Sequence, residues 1–165
     1  MNIAVIGGYQ CSKRIGRIAY EVGQRIAREG WVLVCGGREG VMEEACRGAK
    51  DAGGVTVGIL PSCDGKDANK YVDITIPTGL GYARNVLVVR AASGIIAVDG
   101  RYGTLSEIAF AFNDPRPIVG IETWKVPGLH QAKSPEAAIN YLKRKIGKVL
   151  CSTSSRSRSL LRRTE

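Results

Sequence analysis

Short runs of wholly apolar residues recur along the chain, and three of them end at glycine. IAVI at 3–6 leads into Gly7-Gly8, WVLVC at 31–35 into Gly36-Gly37, and IIAV at 95–98 into a turn holding Gly100 and Gly103. A strand whose side chains are all apolar has no solvent face, so it belongs in a sheet covered on both sides. Between these runs the period becomes helical. Residues 12–29 place Ile15, Ile18, Ala19, Val22, Ile26 and Ala27 on one face, with Lys13, Arg14, Arg17, Glu21 and Arg25 elsewhere. Further helices are expected at 41–52, 82–92, 104–113 and 135–146, and further extended segments at 55–60, 72–76 and 117–121. This alternation predicts an α/β fold: a Rossmann-like three-layer sandwich around a mainly parallel sheet.

The bias that matters is glycine, 21 of 165, roughly twice its usual share of about 7%. Such an excess points to tight turns, or to places where backbone approaches a ligand closely. The remaining composition, 44% hydrophobic and 24% charged, excludes a wholly disordered chain, a collagen-like repeat and a disulfide-dense mini-protein. The length suits one domain, expected over 1–148. A basic Ser/Arg-rich segment at 149–165 shows no packing period and is expected to be a mobile tail.

The formal net charge is +9, and residues 151–165 contribute four arginines against one glutamate. The body shows no basic stripe interleaved with aromatics, so specific nucleic-acid recognition is not expected. No stretch approaches the roughly 18 apolar residues of a membrane span, and the first residues, MNIAVIGG, lack the basic region of a signal peptide. A cytoplasmic location away from membranes is the expectation. The five cysteines (Cys11, Cys35, Cys46, Cys63 and Cys151) form no C-x-x-C pair, and the single histidine is His130. Neither a disulfide framework nor a metal site is expected, and Cys35 and Cys46 read as small core residues.

In parallel sheets ligands bind beyond the carboxyl ends of the strands. Three glycine loops leave those ends here: Gly7-Gly8, Gly36-Gly37-Arg38-Glu39-Gly40, and Gly100-Arg101-Tyr102-Gly103-Thr104. Each precedes a helix, whose first N–H groups and positive dipole end suit an anion. One such loop is explained by turn geometry alone; three on one rim point to a phosphorylated small molecule. No G-x-G-x-x-G and no G-x-x-x-x-G-K-[ST] is present, which disfavours a typical NAD enzyme or P-loop ATPase.

In that order, the GG turn, GGREGVMEEACRGAKDAGG, GYARN and DGRYGTLSEIAFAF resemble the Lonely Guy (LOG) family, often mislabelled as lysine decarboxylases. The resemblance spans residues 2–146 and is to a short branch of that superfamily that includes the molybdenum cofactor carrier proteins. Its enzymes carry P-G-G-x-G-T-x-x-E, an upstream glycine loop and an arginine on the intervening helix, and hydrolyse the N-glycosidic bond of nucleoside 5′-monophosphates to base and ribose 5-phosphate.

The resemblance assigns ligand binding to Gly36, Gly37, Gly40, Gly100, Gly103 and Thr104, and catalysis to Arg84 and Glu107; Gly8 and Arg101, on the same loops, are expected to join the binding site. It implies a bound nucleotide, phosphate or molybdenum cofactor without a required cofactor, no true lysine decarboxylation, and a homodimer or larger homo-oligomer. The apolar segment 86–92 agrees with self-association. Two departures separate this chain from the enzymes. Asp99 and Arg101 stand where the motif has Pro and Gly, and ARN replaces E-R-K, with Ala83 in place of the glutamate. Two classes therefore stay open, a phosphoribohydrolase and a non-catalytic carrier of a phosphorylated cofactor. Glu107 also has a purely structural reading, since Thr104-Leu105-Ser106-Glu107 fits a capping box over a helix whose core face would be Leu105, Ile108, Ala109 and Phe112. Arg84, on a nearly all-apolar helix, is expected to project from its end.

Overall fold

The computed structural model describes residues 1–114 and 116–147, so the expected tail at 149–165 lies outside the described residues. Its elements run β1 (Asn2–Gly7), α1 (Lys13–Arg28), β2 (Val32–Cys35), α2 (Val41–Asp51), β3 (Thr56–Leu60), β4 (Ile74–Pro77), a 3-10 turn (Gly81–Arg84), α3 (Asn85–Arg90), β5 (Gly94–Val98), α4 (Tyr102–Asn113), β6 (Ile118–Ile121) and β7 (His130–Gln131). A last helix, α5, occupies 135–147. The strands form one sheet in the order β4-β3-β2-β1-β5-β6-β7. Every pairing is parallel, from Ile3 against Leu33 and Gly94 in the centre to Val119 against His130 at the edge.

Alternation along the strands divides the apolar residues between two layers. Ile3, Val5, Leu33, Cys35, Ile96 and Val98 pack with Val22 and Ile26 of α1, Ala45 of α2 and Leu142 of α5. Ala4, Ile6, Val34, Ile95 and Ala97 pack on the other side with Val88 and Val89 of α3 and Ile108 and Ala111 of α4. The expected three-layer sandwich is therefore present, with a sheet that is wholly parallel. Ser12 starts α1 by accepting from the Ile15 N–H at 3.2 Å. Ser134 accepts from the Ala137 N–H at 3.2 Å in the same way at the start of α5.

Three local expectations change. The helix expected at 82–92 is a 3-10 turn followed by the short α3, because Gly79 and Gly81 take positive φ and break the lead-in. His130, which the nearby Pro127 and Gly128 lead one to expect in a loop, lies in the two-residue edge strand β7 and stacks on Tyr141 with ring centroids 4.4 Å apart. The core face of α4 is rotated: Thr104, Glu107, Ile108 and Ala111 are buried, whereas Ala109 and Phe112 are exposed. Apolar residues run nearly all round α4, so its sequence pattern could not select the inward face.

Candidate functional site

Strand order reverses between β1 and β5, and the connections leaving their carboxyl ends run to opposite faces of the sheet, α1 on one and α4 on the other, which leaves a crevice. All three glycine loops leave this same edge of the sheet. They pack against one another through bare backbone. A Cβ on Gly40, at φ 69°, would stand 2.4 Å from the Gly8 carbonyl oxygen, and the Val41 N–H donates to that oxygen at 3.0 Å. Gly40 therefore locks two loops together, and no other residue fits there.

A cavity of about 400 Å³ opens beside these loops, lined among others by Gly8, Gly36, Arg84, Arg101, Gly103, Thr104 and Glu107. Gly37 and Gly40 shape the loops without lining it, and Gly100 faces a neighbouring hollow of about 630 Å³ with Gln10, Ser12, Arg14, Asp99 and Glu122. Asp99 thus lines the neighbouring hollow rather than the first cavity. It does carry strain: Asp99 sits at φ 51° and Glu122 at φ 50°, each directly after its strand.

Arg84 differs most from its expected placement. Its side chain is buried (7% exposed) rather than projecting from a helix end, because the 3-10 turn aims it back under the β2 loop. There it donates from Nη1 to Asn85 Oδ1 at 2.7 Å and from Nη2 to the Gly36 carbonyl at 3.1 Å, while Nε has no partner among the described residues. A Cβ on Gly36 would meet Nη2 at 2.4 Å, so glycine is required for this approach. Burial draws the Arg84 pKa below its usual value, yet a guanidinium stays charged in proteins.

Glu107 stands opposite, 6% exposed, with Oε1 3.8 Å from Arg84 Nη1. Desolvation raises its pKa from 4.5 to about 8, and the nearby arginine offsets only part of that rise. The capping box is not formed. Helix α4 starts at Tyr102, its N-cap Arg101 makes no side-chain cap bond, and Glu107 faces Arg84. Starting the helix two residues before Thr104 turns residue 107 from the cap position into the cavity wall.

Several residues that shape the site were not assigned a role from the sequence. Asn85 bridges the arginine to α4: its Oδ1 receives Arg84, and its Nδ2 donates to Ser106 Oγ at 3.1 Å and the Gly103 carbonyl at 3.4 Å. Asn69, from the polar loop before β4, holds the β2 loop by donating to the carbonyls of Gly37 (3.1 Å) and Arg38 (2.9 Å). Tyr9 and Tyr82 line the mouth, and Arg38 stacks over Tyr9 at 4.6 Å from the ring centroid. An asparagine directly after the arginine was the one sequence signal for the bridge. The arrangement offers a buried cation, the open N–H groups of the first turn of α4, and flat aromatic walls. It suits an anionic group attached to a ring. Among the described residues no cluster of His, Cys, Asp and Glu could hold a metal ion, and no helix is long and apolar enough to cross a membrane.

The model of the SLOG cluster4 family matches residues 1–150. The molybdenum cofactor binding protein of the phototrophic bacterium Rippkaea orientalis has a solved structure that is 39% identical in sequence, with a TM-score of 0.80 over 88% of this chain and 95% of its own. The molybdenum cofactor carrier protein of Chlamydomonas reinhardtii is 35% identical, with a TM-score of 0.81 over 89% and 98%. The cytokinin riboside 5′-monophosphate phosphoribohydrolase of Mycobacterium tuberculosis is 32% identical over 116 residues, which cover 65% of this chain and 62% of that protein.

Proposed function

The chain belongs to the SLOG cluster4 family, within the LOG-like superfamily that includes molybdenum cofactor carriers, and from that premise we propose that it binds and carries a phosphorylated, ring-bearing cofactor of the molybdenum cofactor class. The observation that carries this reading is the buried Arg84, charged, hydrogen-bonded only to neutral oxygens and with its Nε–H unpartnered among the described residues, in the wall of a cavity at the switch point. The ligand phosphate is cradled by Arg84 and the N–H groups of the first turn of α4 at Gly103 and Thr104, and the ring lies along Tyr82 and Tyr9. Charge-assisted contacts of this kind contribute roughly 1.5–3 kcal/mol each.

Hydrolysis of nucleoside monophosphates is the second reading. It is favoured by the phosphoribohydrolase relative and by the retained Gly103, Thr104, Glu107 and Arg84. An oxocarbenium-like sugar needs a carboxylate beside it, and the burial of Glu107 opposes that charge. The test combines thermal shift with a phosphorylated pterin and with its dephosphorylated form, and an assay for base released from nucleoside monophosphates. A carrier is stabilised by the phosphorylated form only and releases no base. Steady base release would establish the enzyme instead, and no shift with any phosphorylated ligand would remove both.

A homodimer or larger assembly is part of the proposal. The segment 86–92 does not require it, since Val88, Val89 and Ala92 are buried within the chain. The stronger support is elsewhere. Ile74 and Ile76 of the edge strand β4, together with Leu87 and Phe112, stay exposed on the layer that only α3 and α4 cover. Light scattering at micromolar concentration that finds only the 17.7 kDa species would remove this part.

A further inference from the structure

The pairing of Arg84 with Glu107 carries a consequence for what the cavity accepts and when. Both N–H groups of Arg84 that find partners are given to neutral oxygens, Asn85 Oδ1 and the Gly36 carbonyl. Glu107 lies 3.8 Å away, too far for a hydrogen bond, and among the described residues nothing donates to its carboxyl. A buried carboxylate without donors is a costly species, whereas a guanidinium cannot shed its proton. The pair therefore settles as one charge rather than two.

We propose that Glu107 is an uncharged carboxylic acid in the ligand-free protein, that it donates its hydrogen bond to an oxygen of the bound oxyanion, and that the oxyanion and an ionised Glu107 exclude each other from Arg84. This rests on the binding reading above and adds its proton chemistry. Ligand phosphate and Glu107 carboxylate are alternative counter-ions for the same buried cation. With the acid protonated, the cavity holds an unmatched positive charge and an O–H donor side by side. Once ionised, Glu107 supplies the counter-ion itself and adds a like charge beside any incoming anion. The proton transfers between Glu107 and solvent, and no bond to the ligand is made or broken.

The groups facing this pair from the surrounding elements are few. Cys35 ends β2, Arg38 follows on the β2 loop with Asp67 3.5 Å behind it, Arg101 enters from the α4 N-cap, and Tyr9 and Tyr82 complete the wall. Hydrogen bonding with Glu39 holds the Tyr9 hydroxyl above its ordinary value. E107Q keeps every one of these groups and removes only the acid, so it is the control for them.

Inorganic sulfate is the suitable probe, because its charge is constant over the working range while that of phosphate is not. Calorimetry on the full chain should show sulfate affinity falling about tenfold or more from about pH 6.5 to about pH 9.5. E107Q keeps an uncharged donor in the same place and should bind at all pH values with the affinity of wild type at low pH. Infrared difference spectra of the wild-type protein alone should show a protonated-carboxyl carbonyl band that titrates out near pH 8. Absence of that band at about pH 6.5 overturns the proposal without reference to any variant. Equal sulfate profiles in wild type and E107Q overturn it too, and leave the anion site standing. No sulfate binding by either protein at any pH removes the anion site as well, and with it the carrier reading.

Discussion

Glu107 Oε1 stands 3.8 Å from Arg84 Nη1, inside Coulomb range and outside hydrogen-bond range, with both residues buried. Two opposite charges at this spacing normally close to a direct contact, because attraction grows as separation and dielectric fall. Here the arginine is held by neutral partners instead, Nη1 by Asn85 Oδ1 and Nη2 by the Gly36 carbonyl. The gap is thus imposed by neutral neighbours. It leaves space in which a third group, an anion, can serve both partners.

The first expectation concerns stability against pH. The Glu107 pKa is about 8 in the fold and 4.5 as its ordinary value, so the folded state holds its proton longer than the unfolded chain does. Stability contributed by the neutral acid is present below about pH 4.5 and is lost as pH rises toward 8; above 8 the penalty is constant. The loss from this one group is on the order of 3–5 kcal/mol. Urea denaturation of E107Q should follow a flatter profile and exceed wild type at pH 9. An unchanged slope in the variant would show that Glu107 is ionised throughout.

Asn85 gives the second expectation. Its amide joins the arginine to the first turns of α4 through Ser106 and the Gly103 carbonyl. Asn85→Ala strands Arg84 Nη1 in a buried place and should destabilise the fold by about 1–3 kcal/mol. Affinity for a phosphorylated ligand should fall too, because the guanidinium loses its fixed aim. Asn85→Ala with unaltered affinity would show that Asn85 braces the fold without aiming Arg84.

The layer order and the shared rim of the glycine loops were legible in the sequence because continuous apolar strands followed by Gly-Gly leave few alternatives. The site was legible in part. Arg84 and Glu107 stood out as charges on apolar helices, yet their mutual burial depends on where two helices begin. Periodicity does not fix that, since α4 is apolar nearly all round, and helix starts depend on loop geometry. The glycine excess was read as turns and ligand approach. Two of those glycines do other work, at a crossing of helices far apart from any turn.

That crossing supplies the third expectation. Gly23 of α1 lies against the Ala45 carbonyl of α2, where a Cβ would stand 1.9 Å from the oxygen, and Gly48 meets the Tyr20 carbonyl at the same 1.9 Å. Glycine in a helix interior normally costs up to about 1 kcal/mol relative to Ala. Here the substitution reverses sign. Gly23→Ala or Gly48→Ala should push the two helices apart and destabilise by about 2–4 kcal/mol, read as a lowered urea midpoint. Gly147→Ala, with nothing among the described residues within 4 Å of its added Cβ, is the control and should leave the midpoint nearly unchanged.

The final expectation tests the site through its backbone as well as its cation. Arg84→Ala deletes the buried charge and should weaken binding of a phosphorylated ligand by about 10- to 100-fold, from the 1.5–3 kcal/mol that a charge-assisted contact contributes. That variant alone is ambiguous, because it also leaves the Gly36 carbonyl without its donor. Gly36→Ala separates the two effects. Its added Cβ would meet Arg84 Nη2 at 2.4 Å and Met42 Sδ at 2.8 Å, both atoms toward the ends of flexible side chains, so the fold can yield by turning the guanidinium aside. The charge stays in the protein but loses its aim. Gly36→Ala should therefore lower affinity nearly as far as Arg84→Ala while the urea midpoint moves less. If calorimetry finds Gly36→Ala binding as tightly as wild type, the direction of Arg84 is immaterial, and the phosphate is held by the loop N–H groups alone.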